Sequence, residues 1–124
     1  MRTPILKQGD FLIASLQPAL SDEDLEWLRD TLAQQVGRFR SRGVIVDVTL
    51  LEVLDSFAIR TLRAIAQTCE LRGAETVIVG IQPEVAFSMV RLGLTLPDIA
   101  TALDVEEGLA LLQRRLRRRR QRGG

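Results

Sequence analysis

Apolar positions along the chain change their period several times, and each change predicts an element. Ile5 to Lys7 and Phe11 to Leu16 read as two short strands around the turn pair Gly9-Asp10. From Ser21 the period becomes helical: Leu25, Leu28, Leu32, Val36 and Phe39 form one stripe, with Asp22, Glu23 and Asp24 at the start and Gly43 as the expected stop. Val44-Ile45-Val46 has no alternation, the pattern of a strand covered on both faces, and Asp47 ends it. A loop from Val48 to Leu54 leads to Asp55-Ser56, an N-cap pair for a helix from about Phe57 to Arg72, with Ala58, Leu62, Ile65, Ala66 and Cys69 inward.

The alternation of strand and helix then continues. Thr76 to Val79 is a second buried strand ending at Gly80. Pro83 opens a third helix with Val85, Ala86, Met89 and Val90 inward and Gly93 as its stop. Asp98 to Leu103 is a short connection with room for an edge strand, and Asp104 with Glu107 has capping-box spacing before Val105, Leu109, Leu112 and Leu116. This order predicts one α/β domain with a central, mostly parallel β-sheet and about four helices. The domain is expected over residues 1–116, followed by a basic, disordered tail at 117–124, which has no apolar residue to bury.

Composition narrows the chemistry. The 124 residues contain no histidine, no tyrosine and one cysteine, Cys69. Histidine bases, Ser-His-Asp and Cys-His pairs, and the usual zinc ligand sets are therefore excluded. Neither a phosphate-loop pattern nor GxGxxG occurs, so no cofactor and no metal are expected. No apolar run nears the roughly 18 residues of a membrane span, and the start lacks the succession of a signal peptide, so the expected location is cytoplasmic, without membrane contact. The net charge of +1 conceals an asymmetry. Seven arginines lie between positions 114 and 122 with no acid among them, which leaves residues 1–113 at −6.

The segment Val44 to Arg60, VIVDVTLLEVLDSFAIR, is the most informative. A buried strand delivers Asp47 to the carboxyl edge of the sheet, where open parallel sheets build their sites. The following loop brings Asp55, Ser56 and Phe57 to a helix N-terminus. A serine there presents its hydroxyl beside backbone N–H groups that can hold a phosphate. Read alone, Asp55-Ser56 is equally a helix cap.

Three stretches, GVIVDVTLLEVLDSF, RGAETVIVGIQPEVA and the last helix after ALDVEEGL, give the chain a resemblance to the STAS domain family, the anti-sigma factor antagonist fold. The start PILKQGDFLIASLQ, the Asp-Ser-Phe site, GIQPEVA and RLGL resemble its stressosome branch. Plain antagonists usually follow the serine with a small polar residue and glycine, whereas Phe57 and Ala58 stand here. The resemblance implies that Ser56 is phosphorylated by a serine/threonine switch kinase, which the unmodified assembly holds and the modified one releases. It further implies self-association and co-assembly with a sensor-bearing STAS paralogue in a large particle. The chain itself would be the scaffold-type, non-catalytic subunit. Asp47, Asp55 and Phe57 would be neighbours of the switch, and Ser88 is a weaker candidate for a second phosphosite.

Other readings are a free anti-sigma factor antagonist, and a phosphotransfer or nucleotide-handling domain. A phosphotransfer receiver would need a lysine late in the chain, and Lys7 is the only lysine. Trp27, off the main stripe of its helix, fits either the rim of the core or an interface. The arginines can extend the last helix into solvent, meet a neighbouring subunit or bind nucleic acid. The lack of interleaved aromatic residues argues against the last.

Overall fold

The computed structural model describes residues 3–123. In chain order the elements are β1 (Ile5–Gln8), β2 (Phe11–Ser15), α1 (Asp22–Phe39), β3 (Gly43–Asp47), α2 (Ser56–Leu71), β4 (Glu75–Val79), α3 (Pro83–Arg91), β5 (Ala100–Ala102) and α4 (Val105–Gly123). The strands form one sheet in sequential order, with β1 antiparallel to β2 and every later pair parallel. Successive right-handed crossovers stepping in one direction place their helices on the same face. Accordingly α1, α2 and α3 share a core with Leu12, Ala14, Val44, Val46 and Ile78, built on Leu28, Leu32, Val36, Ile59 and Ile65. The opposite faces of the same strands, Phe11, Ile13, Ile45, Val77 and Val79, pack under Leu112 and Leu116 of α4. Val44-Ile45-Val46 lacks alternation because both of its faces are covered.

α4 crosses from the carboxyl edge of the strands to the amino edge. Gly108 lies against Val79, Leu112 against Gly43 and Phe11, and the Arg115 guanidinium pairs with Glu75 at the start of β4. A Cβ on Gly43 would stand 2.8 Å from both Leu112 Cδ1 and Phe11 Cδ1, so this glycine serves the close approach of β3 to α4. It does not stop α1, as the sequence reading expects. That helix ends at Phe39, and Arg40 takes the left-handed cap at φ 50°. Ser21 caps its start with Asp24 in a reciprocal capping box.

Three further expectations need correction. Val90 points outward and is 78% exposed, since a nine-residue helix has room for one stripe, which Val85 and Met89 fill. Phe39 is 39% exposed, lying under the Lys7 ammonium and the Arg38 guanidinium. Residues 117–123 continue α4 where a disordered tail is expected. Arginine is a good helix former, cations suit a helix C-terminus, and no glycine or proline lies between Gly108 and Gly123. Leu116 is nevertheless the last buried residue among those described. Trp27 is half-buried against the α1–α2 core. No helix among the described residues is long and apolar enough to cross a membrane.

Candidate functional site

The carboxyl edge of the sheet is a braced rim. Past the strand ends, the Leu16 N–H donates to the Asp47 carbonyl (2.9 Å), Val48 N–H to Val79 (2.9 Å) and Gly80 N–H to Ala102 (3.2 Å). Asp47 Oδ1 accepts from both the Thr49 N–H (2.9 Å) and the Thr49 hydroxyl, closing the first turn of the β3–α2 loop. The Gln82 amide, just before α3, donates to the Thr49 carbonyl and ties that loop to the β4–α3 connection. Gly80 holds φ +81°, and a Cβ there would stand 2.0 Å from Thr49 Oγ1. Asp47 is thus committed to holding the loop. Thr49 and Gln82, which the sequence reading passes over, are its partners.

From this base the loop rises to α2. Leu51 and Leu54 turn into the core, and Asp55 adopts the extended N-cap conformation with its Oδ1 accepting from the Ala58 N–H at 2.8 Å. The cap is therefore Asp55 alone, and Ser56 is the first residue of the helix. Ser56 is exposed. The Ile59 N–H closes the first helical bond to the Asp55 carbonyl, so the N–H groups of Ser56 and Phe57 have no intrahelical acceptor. Phe57 is half-buried against the core, and its carbonyl accepts from the Thr61 hydroxyl at 2.8 Å, which fixes the turn that displays Ser56.

Beside Asp55 lies a groove of about 420 Å³ between this loop and the β2–α1 connection. Its walls include Pro18, Leu50 and Val53, and Asp22, Glu52 and Asp55 supply carboxylates. Leu50 is 53% and Val53 75% exposed, in a loop whose other apolar side chains, Val48, Leu51 and Leu54, are buried. The sequence carried a signal for this: four apolar residues in a five-residue stretch are more than one loop needs to anchor itself. Asp22, Glu23 and Asp24 on α1, Glu84 on α3, and Glu106 and Glu107 on α4 make the same edge strongly acidic, since every helix after a parallel strand starts there.

Ser88 is half-buried on α3 and lines a separate hollow with Glu84, Phe87, Val90 and Arg91, which shares no residue with the groove beside Ser56. Cys69 is buried in the α2 core, where desolvation pushes its thiol up to about 11. Among the described residues, no group of three or more histidine, cysteine or acidic side chains could hold a metal ion.

Comparison with known proteins places this geometry in a family. The family model for the STAS domain matches residues 3–108. The RsbT co-antagonist protein RsbRA of Bacillus subtilis (strain 168) is 26% identical over 97 residues, which are 78% of this chain and 35% of that protein. The chain thus spans about a third of the length of the curated relatives it matches. A serine-to-glutamate variant of RsbS from Moorella thermoacetica is 32% identical, with a TM-score of 0.81 over 94% of this chain and 99% of that one. A chain from a structure described as the molecular architecture of the stressosome, a signal integration and transduction hub, is also 32% identical, with a TM-score of 0.74 over 92% of this chain and 99% of that one. The five-stranded, mostly parallel sheet and four helices are the STAS fold, and the chain belongs to the STAS domain family, within which it is similar to RsbS.

Proposed function

We propose that the protein is a cytoplasmic, non-catalytic scaffold of a stressosome-type assembly. In this reading it captures a serine/threonine switch kinase and releases it when Ser56 is phosphorylated. Its assembly partners are further copies of itself and a sensor-bearing STAS paralogue. The observation that carries the reading is the exposed Ser56 at the first turn of α2, one residue from the half-apolar groove of Leu50, Val53 and Asp55. The likeness to RsbS and to a stressosome chain supports the assembly, and the relative named as a co-antagonist of RsbT supports an RsbT-type partner, which this reading takes to be the kinase.

The physical account is electrostatic. A phosphate adds about −1.5 to −2 charge at neutral pH. At Ser56 it stands against Asp55, whose carboxylate already takes the Ala58 N–H, and against the acidic edge that includes Glu52. The N–H groups of Ser56 and Phe57 can receive it, so the fold stays intact. A partner packed on Leu50 and Val53 would meet a desolvated dianion, and like-charge juxtaposition at an interface costs about several kcal/mol. That changes occupancy by orders of magnitude, since each ~1.4 kcal/mol is tenfold.

The direct test is a pull-down of an RsbT-type kinase by the full chain, with and without ATP, and mass spectrometry to locate the phosphate. Capture without ATP and release on modification of Ser56 supports the function. Phosphate on another residue, or no capture, refutes it. Ser88 is proposed only as a secondary position for the same experiment.

A further inference from the structure

The two edges of the sheet carry opposite charge. Carboxylates of the first turns of α1 and α4, with Glu52 and Asp55, crowd the carboxyl edge. The amino edge receives the ends of the same helices, with Arg38 and Arg40 from α1, Arg72 after α2 and the arginines that finish α4. Beyond Leu116 these are Arg117, Arg118, Arg119, Arg120 and Arg122, all exposed. At 100° per residue they surround the helix, and like charges three and four residues apart repel. Among the described residues, the chain's own fold offers those turns no counter-surface of matching charge. Arg117 and Arg120 face a recess whose one carboxylate belongs to Asp10.

Their complement lies in the same sequence but out of their reach. α4 leaves the acidic edge at Val105 and delivers Arg122 about 25 Å away along its axis. The residues up to 113 sum to −6 and those beyond to +7, so copies placed end to end nearly neutralise each other. The groove at the acidic edge also suits arginine in shape. Leu50, Val53 and Pro18 can cover the aliphatic stems, while Asp22, Glu52 and Asp55 meet the guanidinium heads.

We propose that the chain associates with itself head to tail, the arginine turns of α4 in one copy seated on the acidic carboxyl edge of the next. Such a contact is heterologous, using two different patches, and grows into rings or open chains unless one patch is removed. This deepens the assembly part of the proposed function, and because the groove is also the one on which the kinase is proposed to pack, a seated tail and the kinase are alternative occupants of one edge.

The test uses the full chain and two variants confined to exposed side chains, with folding checked by circular dichroism. The tail variant carries Arg117→Gln, Arg118→Gln, Arg119→Gln and Arg120→Gln. The edge variant carries Asp22→Asn, Glu23→Gln and Glu52→Gln. In sedimentation velocity the wild type is expected to form species larger than the monomer in about 0.1 M salt. These should disappear in about 1 M salt, where the screening length falls from about 10 to about 3 Å. Each variant alone should be monomeric, and their mixture should give a one-to-one dimer, because one supplies the intact edge and the other the intact tail. A monomeric wild type, a particle size indifferent to salt and to both variants, or a mixture that stays monomeric overturns the proposal. Tail-dependent binding of a single-stranded oligonucleotide by a monomeric wild type also overturns it and assigns the arginines to nucleic acid. Kinase capture by the tail variant reports on the proposed function separately, since that variant leaves the Ser56 edge intact.

Discussion

Replacing Gly80 by alanine probes the brace beneath the switch loop. Two costs combine. A side chain at φ +81° enters the left-handed region, for about 1–2 kcal/mol. Its Cβ would also lie 2.0 Å from Thr49 Oγ1, so Thr49 must swing away and give up its hydroxyl bond to Asp47, for about another 1–1.5 kcal/mol. Gly80→Ala is therefore expected to cost about 2–3.5 kcal/mol in urea unfolding at an unchanged m-value. Thr49→Ala alone should cost about 1 kcal/mol. In the double variant the collision with Oγ1 is gone, and the Thr49 Cβ at 3.0 Å and Asp47 Oδ1 at 3.1 Å remain as close neighbours. The two effects should then fall short of additivity by about 1 kcal/mol or more. Additivity within about 0.5 kcal/mol would refute the claim that Gly80 exists to seat Thr49.

Other expectations follow from the same geometry. Because Asp55 is the cap, Asp55→Ala should lower stability by about 0.5–2 kcal/mol, whereas Ser56→Ala should change it by less than about 0.5 kcal/mol in the same denaturation assay. Cys69 should resist thiol reagents in the native state and react once the protein unfolds. Its thiol is raised from 9.0 to about 11 in the fold, so the unfolded chain loses that proton first. Its contribution to stability should be complete below pH 9 and lost as pH rises toward 11, and Cys69→Ala should flatten that fall. In about 1 M salt, where contacts between copies are screened, deleting residues 117–124 should leave the melting temperature nearly unchanged, since Leu116 is the last buried residue among those described, and a loss of several degrees would show that those turns pack on the subunit.

What the sequence could reveal depended on whether a pattern or a contact carried it. The twice-covered strands at Val44 to Val46 and Val77 to Val79, and the stripe Leu25, Leu28, Leu32 and Val36, were readable because burial on a regular element imposes a period. The placing of Ser56 at the start of α2 was readable for a related reason, as a strand, a loop and a helix start occur in order there. Contacts between distant segments left no period. Gly43 looked like a helix stop, but Leu112 and Phe11, 69 and 32 positions away, explain it. Asp47 reads from the sequence as a neighbour of the switch, and the fold adds that Thr49 and Gln82 lock the loop around it. The division of labour between Asp55 and Ser56 turned on one hydrogen bond, from Ala58, that either residue type could have accepted.

The central claim concerns one hydroxyl, and its most direct measurement follows kinase release against phosphate incorporation on a single preparation. Wild-type chain with bound RsbT-type kinase is given ATP, and the bound fraction and the phosphate at Ser56 are read at the same times. Ser56→Ala and Ser56→Asp are run in parallel. The account predicts that release tracks modification of Ser56 one for one and that Ser56→Ala keeps its kinase throughout. Ser56→Asp should bind more weakly than wild type but better than the phosphorylated chain, because it carries less charge and fewer acceptor oxygens. Release from Ser56→Ala at the wild-type rate, or full phosphorylation of Ser56 with the kinase still bound, would contradict it.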